Sequence, residues 1–189
     1  MDRLFVDRAQ SPIGELTAVI ASREGVEALC VLAYPVVPRI SREVRQVEAY
    51  AGVESERTPA ALHALLWSQL DQYFAGERRT FDIPLWTPGT EFQRGVWREL
   101  LTIPFGRTVS YADVARAIGR PGAQRAVGAA NGANRVSIIV PCHRVIESTG
   151  GLRGYGGGLD RKRWLLDHEQ GPLALPGLRR GTAEPVPIP

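Results

Sequence analysis

Lysine is almost absent from this 189-residue chain: of 23 basic residues, all but Lys162 are arginine. Cysteine is nearly as scarce. With only Cys30 and Cys142 there is no disulfide framework, and with three scattered histidines they give no zinc-ligand spacing, so no metal is expected. No apolar run approaches the roughly 18–20 residues of a bilayer span. The opening Met1-Asp2-Arg3-Leu4 lacks the basic-then-apolar layout of a signal peptide. A cytoplasmic protein without membrane contact is therefore expected. Apolar and charged fractions of 44% and 23% are those of an ordered globular chain, long enough for one large domain or two small ones.

The net charge is only +3, yet arginines crowd the second half of the chain, among them Arg94, Arg98, Arg107, Arg116, Arg120, Arg125, Arg135 and Arg144. A planar guanidinium fork suits phosphate. A GC-rich genome or a hot habitat produces the same bias, so charge permits nucleic acid without establishing it.

The first third reads as hairpins followed by helices. Arg3–Ala9, Leu16–Ala21 and Val26–Leu32 have strand composition, and Ser11-Pro12-Ile13-Gly14 and Arg23-Glu24-Gly25 supply turns. Cys30 is expected as a small buried hydrophobe. Residues 34–38 read as a loop and Ser41–Ala51 as a short exposed helix. A stronger helix is expected with Thr58 as cap, Pro59 at its first position, and a stripe of Leu62, Leu65, Leu66, Leu70, Tyr73 and Phe74 ending at Gly76. A domain boundary is placed near residue 88. Beyond it Phe92, Val96, Leu100 and Leu101 form a helical stripe. Ser110 and Asp113 resemble a capping box for Tyr111–Ile118, and a short helix over Ala123–Asn131 follows the Gly-Arg-Pro-Gly turn as a helix-turn-helix. The tail over 171–189 is rich in proline and glycine and expected to be loosely ordered.

The second helix of that pair is unusual for reading DNA. Apart from Gln124 and Arg125 its early face is small, with Ala123, Ala126 and Gly128, which suits close approach to a narrow groove better than base readout. Arg125 can serve as a wedge replacing an extruded base, although a lone arginine is more often a solvated surface residue.

Val136–Val140 is an apolar, β-branched run expected to end a buried strand at Cys142, with Pro141 forcing a turn. Helix-terminal amides and Arg144 would favour the thiolate there. Adjacency argues against direct contact between His143 and Cys142, so a base role for His143 runs through water, with Glu169 or Glu147 orienting the imidazole. A buried structural cysteine is the competing reading. Gly150–Gly158 is an open loop in which Tyr155 can stack on a ligand.

Six blocks, in order, resemble the O6-alkylguanine-DNA alkyltransferases: Gly89-Thr90-x-Phe92-Gln93-x-x-Val96-Trp97, Ile103-Pro104-x-Gly106-x-Thr108-x-Ser110-Tyr111, Arg125-Ala126-Val127-Gly128, Asn131-x-x-Asn134, Pro141-Cys142-His143-Arg144-Val145 and Gly154-Tyr155-x-Gly157-Gly158. The resemblance runs from about Gly89 to Glu169. It implies an α+β protein with a small N-terminal antiparallel-sheet domain carrying helices (1–88, ribonuclease H-like). A mostly helical DNA-binding domain (89–170) would hold the helix-turn-helix and the active-site cysteine. It implies that Cys142 accepts the alkyl group of O6-alkylguanine in double-stranded DNA once and irreversibly, acting as a monomer without a cofactor. His143 would be the water-mediated base oriented by Glu169, Asn134 the brace of the active-site turn, and Tyr111 the neighbour of the flipped nucleotide. Arg125 would be the finger, Ala123, Gln124, Ala126 and Gly128 the DNA-contacting face, and the Val145 carbonyl, Tyr155, Gly156 and Gly157 the base pocket. Activity on O4-methylthymine and on bulky adducts stays open.

Two positions depart from the family pattern: Arg135 follows Asn134 where proline is frequent, and Trp86 occupies a connector position that is often polar. Three other readings compete. Cys142 opposes a non-catalytic lesion binder, the small-residue helix opposes a sequence-reading regulator, and the lack of a second nearby cysteine opposes a redox thiol enzyme.

Overall fold

A computed structural model describes residues 2–36 and 39–170; the Pro/Gly-rich tail and two residues of the expected 34–38 loop lie outside it. Strands β1 (Arg3–Ala9), β2 (Leu16–Arg23) and β3 (Val26–Ala33) form an antiparallel meander. The first turn closes by reciprocal backbone bonds between Ser11 and Gly14, at 3.1 and 3.0 Å. A two-residue strand β4 (Ser55–Glu56) adds to β1 in parallel, giving the order β3-β2-β1-β4.

Side chains of β2 alternate between two cores. Leu16, Ala18 and Ile20 face the large one, Val19 and Ala21 the small one. In β3 the alternation slips: Val31 pairs with Val19 but Leu29 with Ile20, leaving Cys30 as the extra residue of a bulge. Cys30 and Val31 consequently both enter the small core. The Cys30 thiol donates to Val19 O at 3.1 Å, and burial pushes its pKa up to about 12, so it is inert as expected.

Helix α1 (Arg39–Ala51) closes the small core through Val47. Helix α2 (Ala61–Phe74) sends Leu62, Leu66, Leu70 and Tyr73 into the large core, but Leu65 is exposed. Its N-cap is Ala60 rather than Thr58. The His63 imidazole reaches back to accept from Ala60 N at 2.8 Å and supplies the cap that alanine lacks. Gly76, at φ 79°, ends the helix.

In the second half, α3 (Glu91–Thr102) starts from a capping box of Thr90 and Gln93 and buries Val96, Trp97 and Leu100; Leu101 is exposed. The expected Ser110–Asp113 box caps α4 (Tyr111–Ala117), which packs on α5 (Gln124–Gly132) as a helix-turn-helix. Strands β5 (Val109–Ser110) and β6 (Val145–Ile146) pair in parallel, and α6 (Leu159–Gln170) completes the chain that is described.

The Val136–Val140 run is buried, but it is not a strand. Val136 makes one bridge to Leu32 and the chain then coils through turns, with Ile138 at φ 71°. A β-branched residue in that region costs roughly 1–3 kcal/mol. The cost is offset because Leu32 holds the segment on both sides, its N–H donating to Arg135 O and its carbonyl accepting from Ser137 N, each at 2.8 Å. β3 is thereby the backing plate of the turn that leads to Cys142.

Both departures from the family pattern have structural explanations. Arg135 is buried, donating to Pro88 O at 2.7 Å and to Gln46 Oε1 at 3.0 Å, with its guanidinium near the Trp97 and Tyr50 rings. It pins the connector to α1 and α3. Trp86 packs against the small core under the Arg23 guanidinium, 4.9 Å from its ring.

Candidate active site

Cys142 opens a single 3₁₀ turn, Cys142–Arg144, and is 5% exposed. Two asparagines from the end of α5 set its backbone. Asn134 accepts from Val136 N at 3.0 Å and donates to Val140 O at 2.9 Å, closing the coil into a fixed loop. Asn131 donates to Cys142 O at 3.3 Å.

His143 and Glu169 meet: Nε2 lies 2.8 Å from Glu169 Oε1, with both side chains fully buried. The same carboxylate accepts from Arg144 Nε at 2.8 Å and Nη2 at 3.0 Å, from the Tyr73 hydroxyl at 2.8 Å and from Gly106 N at 3.1 Å. Burial by itself would favour the acid form, but the hydrogen bonds from His143 and Arg144 outweigh it and hold Glu169 well below the usual carboxylate range. An ionised Glu169 accepts only, so Nε2 carries the imidazole proton and Nδ1 keeps its lone pair. Nδ1 is buried with no protein partner. That is the electronic arrangement of a general base.

Arg144 does not supply the field expected at Cys142; its charge is committed to Glu169, and Nη1 donates to Ile103 O at 2.6 Å. Burial instead pushes the Cys142 thiol above its usual value, against the opposing influence of the Asn134 hydrogen bond and the positive Lys162 and Arg39. Burial thus favours the thiol form of Cys142, where the sequence reading favoured the thiolate. Glu147, the other candidate orienter, pairs with Arg153 at 2.7 Å, away from His143.

Beside this cluster lies a groove of about 630 Å³ lined by Tyr111, Gln124, Arg125, Gly128, Tyr155, Gly156 and Arg39, among others. It thus unites residues from the helix-turn-helix and the glycine loop. Arg39, one of the lining residues, reaches the Asn134 carbonyl at 3.3 Å, which ties the groove to the loop that leads to Cys142. Ala123 packs on the large core and Ala126 is exposed; neither lines the groove. Gly157 is buried behind it against Tyr34. The Val145 carbonyl accepts from Lys162 Nζ at 2.7 Å.

A model of the 6-O-methylguanine DNA methyltransferase DNA-binding domain matches residues 91–171. A methylated-DNA–protein-cysteine methyltransferase of Shigella flexneri is 42% identical over 171 residues, 89% of this chain and 97% of the relative. The chain belongs to the methylated-DNA–protein-cysteine methyltransferase family. Similarity to the Mycobacterium tuberculosis protein of the same name is higher, 60%, but spans 102 residues, 54% of this chain and 62% of that relative. In three dimensions, the Mycobacterium tuberculosis OGT in complex with DNA superposes with a TM-score of 0.73 at 42% identity, covering 89% of this chain and 94% of that one.

Relative to that family pattern, three side chains at the site were not singled out in the sequence. Lys162, fully buried, also donates to Arg153 O at 3.0 Å, and desolvation lowers its pKa to about 8. Being the single lysine was its one sequence signal. Tyr73 looked like an ordinary member of a core stripe, and its hydroxyl on Glu169 has no local signature. Arg39 reaches Gly132 O at 3.1 Å and Asn134 O at 3.3 Å from a helix that sequence placed at the surface. Among the described residues, no helix is long and apolar enough to cross a membrane.

Proposed function

We propose that this protein repairs O6-alkylguanine in duplex DNA by moving the alkyl group to Cys142 in a single, irreversible turnover. The observation that carries the reading is the buried Cys142–His143–Glu169 set, with a free Nδ1 lone pair, beside a groove shared by the helix-turn-helix and the Tyr155 loop.

In this reading the Cys142 proton passes through a bridging water to His143 Nδ1, and Glu169 stabilises the imidazolium that results. Sulfur attacks the alkyl carbon; the S–C bond forms as the C–O6 bond breaks, and its electron pair leaves on guanine. The departing base recovers a proton from Tyr111 or solvent. A thioether is not reversed by water, so the protein is consumed, and the balance needs no co-reactant. Arg125 fills the space of the extruded base, while Gln124, Ala126 and Gly128 face the backbone. Residues 89–170 act as the DNA-binding unit and 1–88 as its N-terminal partner, in a cytoplasmic monomer.

The test is incubation with duplex carrying one O6-methylguanine, followed by peptide mass spectrometry. One methyl on the Cys142 peptide is expected; restored guanine with unmodified Cys142 refutes the mechanism. Cys142→Ser should retain DNA binding while losing transfer.

A further inference from the structure

Tyr34 comes from the N-terminal half, just beyond β3, yet it packs against Tyr155, one of the residues that line the groove. It is 3% exposed. Its backbone is held close to the active-site turn, because Leu32, two residues earlier, bonds to Arg135 and Ser137. Its hydroxyl lies 3.0 Å from that of Tyr155, and the two rings meet edge-to-face with centroids 6.0 Å apart. Arg161 covers the Tyr34 ring at 4.8 Å and is itself tied to Ile13 O and Gly157 O at 2.7 and 2.8 Å. A Cβ placed on Gly157 would run into the Tyr34 ring. At Gly157 the space behind the pocket wall is thus occupied by Tyr34.

We propose that Tyr34 is a specificity-determining residue: its ring backs Tyr155 and Gly157 and sets the size of alkyl group that can reach Cys142. The proposal rests on alkyl transfer to Cys142 as the activity. A wall packed from behind by a buried ring cannot yield to a larger adduct without a shift of Tyr34, whereas a methyl group makes no such demand. Arg161, which covers the ring, opposes that shift.

The measurement is the ratio of single-turnover rates for O6-benzylguanine and O6-methylguanine placed in the same duplex. Tyr34→Ala should raise that ratio at least about tenfold, the scale on which pocket volume discriminates substrates. Tyr34→Phe keeps the ring and should hold the ratio within about twofold of the unaltered protein. Gly157→Ala should slow both substrates, and adding Tyr34→Ala should recover much of the loss, because the colliding ring is gone. Rates that fall together in Tyr34→Ala with an unchanged ratio overturn the proposal, as does a Gly157→Ala defect that Tyr34→Ala leaves in place. If the unaltered protein takes no methyl from DNA, the functional reading fails instead, so the two failures are told apart.

Discussion

Glu169→Gln separates the chemistry of the buried cluster from its architecture. The substitution keeps the volume but removes the charge and one acceptor. Five donors converge on this carboxylate: His143, two nitrogens of Arg144, Tyr73 and the Gly106 amide. An amide puts its NH₂ in place of one oxygen, either Oε2, which serves Arg144 Nε and Gly106, or Oε1, which serves His143, Tyr73 and Arg144 Nη2. Toward Arg144 it meets a guanidinium whose side chain is 8% exposed and which then lacks its counter-ion. Removing one partner of a buried ion pair costs about 3–5 kcal/mol. Toward His143 it reverses the tautomer, placing the proton on Nδ1 and abolishing the lone pair. In either case the imidazolium loses its stabilising anion, and loss of general-base assistance slows transfer roughly 10²–10⁴-fold. Because native domains hold about 5–15 kcal/mol, most of the variant should remain folded at low temperature. The assays are single-turnover methyl transfer at saturating protein and urea denaturation, with duplex affinity as control. Affinity should change little, since Glu169 is buried and does not line the groove. A variant destabilised by the expected amount that transfers methyl within about fivefold of the unaltered rate would show that Glu169 is structural only and refute base catalysis through His143.

Burial first, against the opposing effect of Glu169, depresses His143 below its ordinary 6.5, so the transfer rate should stay level from neutrality to that pH and drop only below it; a midpoint above 6.5 contradicts a buried neutral base. Folded His143 and Glu169 both bind fewer protons than the unfolded chain near their ordinary values. The stability they contribute is complete above about pH 6.5, declines as pH falls, and is lost further below about 4.5, which urea titrations at several pH values will read. Asn134→Ala strands the Val140 carbonyl and Val136 amide and should cost about 2–3 kcal/mol. Urea denaturation will read that loss, and an unchanged midpoint refutes the bracing role. Arg125→Ala should weaken repair of duplex far more than reaction with free O6-benzylguanine, and equal effects would remove the finger role.

The features legible in the sequence are those whose cause is local. The Ser11–Gly14 turn, the Ser110–Asp113 box and the glycine stop at Gly76 each depend on residues within a few positions, and each forms as expected. The errors come from an acceptor of unexpected type, an ambiguous composition and a distant partner. Thr58 was a better cap by type than Ala60, but the His63 ring supplied the acceptor. Val136–Val140 has the composition of a strand, and burial alone does not distinguish a strand from a coil held by Asn134 and Leu32. Arg144 lies two residues from Cys142, yet Glu169, 25 positions away, takes its charge.

These partners also explain why the N-terminal half, which carries few family motifs, matters to the chemistry. Leu32 supports the turn, Tyr73 donates to the orienting carboxylate, Arg39 contributes charge near the thiol, and Tyr34 backs the pocket wall. Three of the four, Leu32, Tyr34 and Tyr73, are anchored in the large core, and Arg39 opens the helix that closes the small one. In the proposed mechanism the second half supplies the nucleophile and base, and the first fixes their positions to the tolerance that an in-line displacement requires. A cysteine that rests as a buried thiol has little reactivity to lose to stray electrophiles. Its activation then depends on the water-linked base, so selectivity for a substrate seated in the groove follows from burial itself.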